Sequence, residues 1–322
     1  MTIKHIAIVG VGSIGVRHLK ILRDLRPELE ITLVRSGFGK DFNEIDLADR
    51  VVFSIEEAIA LNIQAAIISS PATKHIEQAL VLANAGIHLL VEKPISHNSK
   101  NLKELQNLII KKNIVFLIGY IFRYEPAANK FSDLLQQEDI GRILHARIES
   151  GSYLPDWRPN QNYLDTVSAN KEMGGGALLE LSHEIDYANW FFNIDSVFSA
   201  YLYNSGSLGI DVEESADLIV VSKQNFPVSI HLDFCRNTPF RKCRVYGTDG
   251  DIEWDALNKK VILYPKSGDS IEYSFEYERD DLYQKQLIHF LDCIENNTKP
   301  MTKIQDSIKV MEIIEDAKKE DK

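Results

Sequence analysis

The chain has 322 residues, a length that suits about two domains, and its 44% hydrophobic and 26% charged residues describe a globular protein able to bury a sizeable core. Against 47 Asp and Glu stand 36 Lys and Arg, a net charge of −11, so the basic footprint of nucleic-acid and anionic-membrane binders is missing and neither partner is expected. The three cysteines, Cys235, Cys243 and Cys293, form no close C-x-x-C pair, which argues against a disulfide framework or a cysteine zinc site and makes the cytoplasm the expected compartment.

At the N-terminus the apolar run Ile6 to Val9 is too short for a signal peptide and reads as a buried strand. No later run approaches the roughly 20 residues that span a bilayer. After the strand come glycines, then a helical face of Ile14, Leu19, Leu22 and Leu25 that stops before Pro27. Strands are predicted at Glu30–Val34, Ala65–Ile68, Ile87–Val91 and Ile114–Ile118. Between them, Ser54 opens a short helix with capping-box spacing, Thr73 to Ala85 is helical with Gly86 as its stop, and Ser99 caps a helix that ends at Asn113. Continuous apolar strands alternating with helices predict a doubly wound parallel sheet over residues 1–120.

Residues 121–322 read differently. A helix at Pro126–Leu135, a strand at Ile143–Ile148 and a polar, aromatic-bearing loop to Lys171 precede one helix from Ala177 to Phe192. Seven β segments follow between Val197 and Phe275, with turns at Asp249-Gly250 and Asn258-Lys259, so an α+β domain with a large, mostly antiparallel open sheet is expected. Two further helices, broken near Asn296–Pro300, are candidates to pack back on the first domain. An uncovered apolar sheet face would make the chain a homodimer or homotetramer.

Gly10-Val11-Gly12-Ser13-Ile14-Gly15 is G-x-G-x-x-G between a strand and a helix. Its glycines allow a tight turn and close approach of a pyrophosphate to free helix N–H groups, which indicates a dinucleotide site. Where an NAD enzyme carries an acid on the ribose 2′-hydroxyl, this chain has Arg35-Ser36 and no carboxylate until Asp41. That favours NADP over NAD; the alternative is a surface Arg stacked on adenine. Glu92-Lys93-Pro94 closes a strand at the ligand-binding edge of the sheet, so Lys93 could hydrogen-bond or deprotonate a hydroxyl, or simply cap the turn. Beyond Gly174-Gly175-Gly176, Glu180, His183 and Asp186 share a helical face, where His183 suits general acid–base work; a metal site is not expected.

The ordered set of G-x-G-x-x-G, Ser70-Pro71-Ala72-Thr73-Lys74-His75, Glu92-Lys93-Pro94 and G-G-G with a helical H-x-x-D resembles the glucose–fructose oxidoreductase / inositol dehydrogenase (Gfo/Idh/MocA) family over essentially the whole chain. The resemblance implies a Rossmann domain, a C-terminal oligomerisation domain, and oxidation or reduction of a sugar or cyclitol, with a surface-polysaccharide subgroup as the nearest likeness. By it Lys93 and His183 match the catalytic pair, and Gly10, Gly12, Ser13, Ile14, Gly15, Arg35, Ser36, Ser69, Ser70, Pro71, Thr73, His75, Glu92 and Lys93 become candidates to contact the cofactor. Candidates for the sugar are Lys93, Arg123, Tyr153, Trp157, Arg158, Tyr163, Glu180, His183 and Asp186. The chain departs from the family where Leu179 stands four residues before His183, a place that relatives give to Asp. Two rivals stay open: redox-assisted glycoside hydrolysis with tightly held NAD, and dinucleotide sensing without catalysis.

Overall fold

The structure, a computed structural model, describes residues 2–37 and 42–321, so Asp41 lies outside the described residues. In chain order the elements are β1 (His5–Val9), α1 (Ser13–Leu25), β2 (Glu30–Val34), β3 (Arg50–Val52), α2 (Ile55–Ala60), β4 (Ala65–Ile68), α3 (Ala72–Asn84), β5 (His88–Val91), α4 (Leu102–Lys112), β6 (Phe116–Ile118), α5 (Pro126–Gln136) and β7 (Ile143–Gly151). There follow α6 (Ala177–Glu180), α7 (Ser182–Phe192), β8 (Ile194–Tyr203), β9 (Ser215–Ser222), β10 (Pro227–Asp233), β11 (Phe240–Gly247), β12 (Gly250–Asp255), β13 (Lys260–Pro265), β14 (Ile271–Ser274), α8 (Arg279–Glu295) and α9 (Ile304–Glu320). The chain divides into two units: residues 1–121 with 278–308, and residues 122–277 with 309–322.

In the first unit six parallel strands lie in the order β3-β2-β1-β4-β5-β6, with β1 matched to β2 from His5↔Glu30 to Val9↔Val34. Every residue of β1 and β4 is buried, as a sheet covered on both faces requires. Ser54 caps α2, its Oγ accepting from the Glu57 amide at 3.1 Å. Ser99 does not cap α4: the residue before that helix is Asn101, in the left-handed region at φ 64°, which a short polar side chain tolerates. Asn113, at φ 52°, ends the helix where expected. The edge strand β3 escaped the sequence reading because it is only three residues long, with Arg50 and Val51 exposed. Helix α8 lies on α1, with Arg17 Nε 2.9 Å from Asp280 and the Tyr283 ring edge-on to His18.

The second unit is built on eight strands in the order β14-β13-β12-β11-β7-β10-β9-β8, of which only β7 and β10 run parallel. One face is the core, with Ile148, Leu218, Ile230, Val245 and Ile252 almost wholly buried. The other face is mixed, with Ile219, Val221, Ile262 and Tyr264 half-buried on it among polar and charged side chains. The alternation of the strands puts Arg147, Asp217, Ser229, His231, Arg244 and Tyr246 there, and His231 lies 2.7 Å from Asp217 and 3.2 Å from Asp233. The single helix expected from Ala177 to Phe192 is two, because Leu181 leaves helical geometry at ψ 31°.

Candidate functional site

The candidate residues fall in both units, and each group is held by its own unit's packing. In the first unit Gly10 has φ +90°, and a Cβ there would lie 2.6 Å from the Ser70 amide nitrogen. A Cβ on Gly15 would lie 2.1 Å from the Gly10 carbonyl oxygen. Gly12, by contrast, meets nothing within 4 Å and stands at the N-terminus of α1, which has no side-chain cap. Two glycines are thus demanded by packing and the third leaves room beside unsatisfied helix N–H groups, which fits the pyrophosphate of a dinucleotide. Ser13 is exposed and Ile14 half-buried on the same turn. Arg35, half-buried, and Ser36, exposed, follow β2, and the Arg35 amide donates to the Val52 carbonyl at 3.0 Å.

The ends of β1, β4 and β5 are stitched together beside that turn. The Ser69 amide donates to Val9 at 2.8 Å, its hydroxyl donates to the Gly10 carbonyl at 2.7 Å, and the Glu92 amide donates to Ile68 at 2.8 Å. Ser70 Oγ is engaged with Gln78 Oε1 at 2.6 Å; Pro71 is exposed and Thr73 half-buried at the start of α3. His75 is buried, with Nδ1 2.9 Å from the Pro94 carbonyl and Nε2 2.7 Å from the Ser70 carbonyl. Burial holds its pKa below the ordinary value against the pull of the two carbonyls. His75 thus lies between the Ser70 and Pro94 carbonyls, and its neutral ring donates its single N–H to one of them. Glu92 is likewise turned inward: Oε1 accepts from Nε2 of the fully buried His18 at 2.7 Å. A Cβ on Gly119 would come within 2.5 Å of Glu92 Oε2, so a larger residue there would displace the Glu92 carboxylate. Half-buried Lys93 follows directly, and the Lys93–Pro94 peptide is cis.

In the second unit His183 is the second residue of α7 and half-buried, with the Phe122 ring edge-on at 5.1 Å. Glu180 ends α6, so the turn at Leu181 separates it from His183 and the expected continuous helical face does not exist. Asp186 and Arg123, expected to line a sugar pocket, form a buried bidentate pair at 2.9 and 2.8 Å, with the Arg123 guanidinium over Trp190. Tyr163 donates its hydroxyl to the Leu208 carbonyl at 2.8 Å, a loop-fixing bond. Trp157 is half-buried, its indole N–H on Ser152 Oγ at 2.7 Å and its ring edge-on to Phe234, while Tyr153 is half-buried and Arg158 exposed.

Three charged residues near His183 were missed. Arg241 Nε donates to Oε1 of the buried Glu184 at 2.8 Å. Glu125, at the N-terminus of α5, accepts from the Ala128 amide and the Tyr277 hydroxyl, and burial pushes its pKa up to about 7. The only sequence signal for any of them was a charge in an otherwise apolar or β-rich stretch.

Comparisons with known proteins agree with this anatomy. Residues 4–120 match the oxidoreductase family with an NAD-binding Rossmann fold, and residues 129–253 match the GFO/IDH/MocA C-terminal domain. An uncharacterized oxidoreductase of Synechocystis sp. is 29% identical over 192 residues, 58% of this chain and 51% of that protein. Levoglucosan dehydrogenase of Pseudarthrobacter phenanthrenivorans is 32% identical over 137 residues, 42% of this chain and 34% of that protein. The chain thus spans about half or less of these curated relatives. A solved structure of levoglucosan dehydrogenase in complex with NADH and levoglucosan superposes with a TM-score of 0.85 at 18% identity, covering 98% of this chain and 97% of that one. With both of its domains matched in order, this chain belongs to the Gfo/Idh/MocA oxidoreductase family.

Proposed function

We propose that the chain is an NAD(P)-dependent oxidoreductase that moves a hydride to or from a secondary hydroxyl or ketone of a sugar or sugar derivative, with surface-polysaccharide sugars as its setting. The observation that carries the reading is the common sheet edge at which β1 leads into the glycine turn and β5 leads into Lys93, joined through the Ser69, Glu92 and His75 bonds. Gly10, Gly12, Gly15 and the first amides of α1 would hold the pyrophosphate, and Arg35 with Ser36 suits a ribose 2′-phosphate, which favours NADP. The bound nicotinamide supplies or accepts the hydride. Lys93 orients the reacting oxygen, and Lys93 and His183 hold or move its proton. We assign the chain to a homodimer or homotetramer assembled through the eight-stranded sheet.

Fluorescence titration with NADPH and NADH, followed by a screen of keto-sugars and sugar alcohols, tests this reading. Lys93→Met and His183→Ala should each lower kcat by about 10²–10⁴-fold and leave cofactor affinity nearly unchanged. Arg35→Ala should weaken NADPH binding by about 1–3 kcal/mol and spare NADH. Failure to bind either nucleotide would refute the assignment, and tighter binding of NADH would refute the NADP preference.

A further inference from the structure

We infer that Arg241 selects sugars bearing an oxyanion, a carboxylate or phosphoryl group whose two oxygens it grips; this rests on the sugar-oxidoreductase reading above. Arg241 is the second residue of β11, opposite Ser150 of β7. Its Nε donates to Glu184 Oε1 at 2.8 Å and to Ser150 Oγ at 3.2 Å, and its guanidinium lies over the Phe122 ring at 4.8 Å. Glu184 and Ser150 are buried, so one edge and one face of the guanidinium are fixed. Among the described residues its two terminal nitrogens have no hydrogen-bond partner, and 23% of the side chain is accessible.

Glu184 follows His183 in α7, and Phe122 touches both the Arg241 guanidinium and the His183 ring. Arg241 and the residue assigned to proton handling therefore pack against one shared ring within the second unit. Two parallel N–H donors in a rigid fork match the paired oxygens of a carboxylate or phosphoryl group, whereas a lone hydroxyl engages only one of them. Glu184 on the Nε side of the guanidinium offsets much of its charge, so discrimination comes from the paired donors and not from a general positive field. The accessible terminal donors are met by water in the free protein, and a substrate oxyanion that replaces this water with two charge-assisted bonds completes the site.

The test titrates the full-length protein, with NADPH present, with D-glucuronate, D-glucose 6-phosphate and D-glucose by calorimetry. At least one anionic sugar should bind about tenfold or more tightly than glucose, the scale of a hydrogen-bonded charged contact. Preference for glucuronate alone would assign a carboxylate, and preference for the phosphate alone a phosphoryl group. Arg241→Gln, which keeps a donor for Glu184, should abolish the preference, and Arg241→Lys, which keeps the charge and lacks the fork, should reduce it. Glucose binding as tightly as both anionic sugars, absence of binding by both anions, or a preference that survives in Arg241→Gln overturns the inference. Loss of nucleotide binding in the wild type would instead refute the oxidoreductase reading, while the glucuronate titration still decides the role of Arg241.

Discussion

Replacing Glu125 by Gln should invert its effect on stability between acid and neutral pH. The carboxyl is buried, at 1% exposure, and its pKa stands at about 7 against an ordinary 4.5. Because the folded chain prefers the protonated form, the group's contribution to stability is full below 4.5 and is lost as the pH rises through about 7. The gap between those values corresponds to about 3 kcal/mol. Glutamine removes the charge but offers one acceptor oxygen where the carboxylate serves both the Tyr277 hydroxyl and the Ala128 amide. Losing that helix cap costs about 1 kcal/mol. The variant should therefore be about 1 kcal/mol less stable than wild type near pH 4 and about 2 kcal/mol more stable at pH 8. All three tryptophans, Trp157, Trp190 and Trp254, lie in the second unit with Glu125, so urea unfolding followed by tryptophan fluorescence reads the relevant transition. A difference between variant and wild type that stays constant from pH 4 to 8 would refute the reasoning.

Gly12→Ala and Gly15→Ala should behave differently. The first adds a methyl group to open space, so Tm should hold while NADH fluorescence shows weaker binding; the second drives Cβ against the Gly10 carbonyl and should cost about 1–3 kcal/mol of stability as well. Equal Tm values for the two variants would contradict the packing argument. Asp186→Asn leaves the buried Arg123 guanidinium without its counter-charge and should destabilise the second unit by about 3–5 kcal/mol in the same urea assay. A loss below about 1 kcal/mol would mean that the pair is solvated. Light scattering at micromolar concentration should give a dimer or tetramer; a monomer would remove the assembly proposal.

The glycine turn, the alternating strands of the first unit and the position of Lys93 at a strand end were legible in the amino-acid order, because each is a local pattern. Spacing within one turn defines G-x-G-x-x-G, and burial on both faces makes β1, β4 and β5 read as unbroken apolar runs. The helix around His183 shows where such reading stops. Apolar periodicity runs straight through Leu181, yet the chain breaks there into α6 and α7. The start of α6 is held by Glu213, whose Oε1 accepts from the Leu178 amide across 35 residues. The same limit applied to three buried carboxylates of the candidate site. Asp186 finds Arg123 over 63 residues, Glu184 finds Arg241 over 57 and Glu92 finds His18 over 74. A sequence displays that an ionisable side chain stands in an apolar stretch. It cannot display the partner that makes burial tolerable, because desolvation requires some counter-group and only the tertiary fold decides which one arrives within 3 Å.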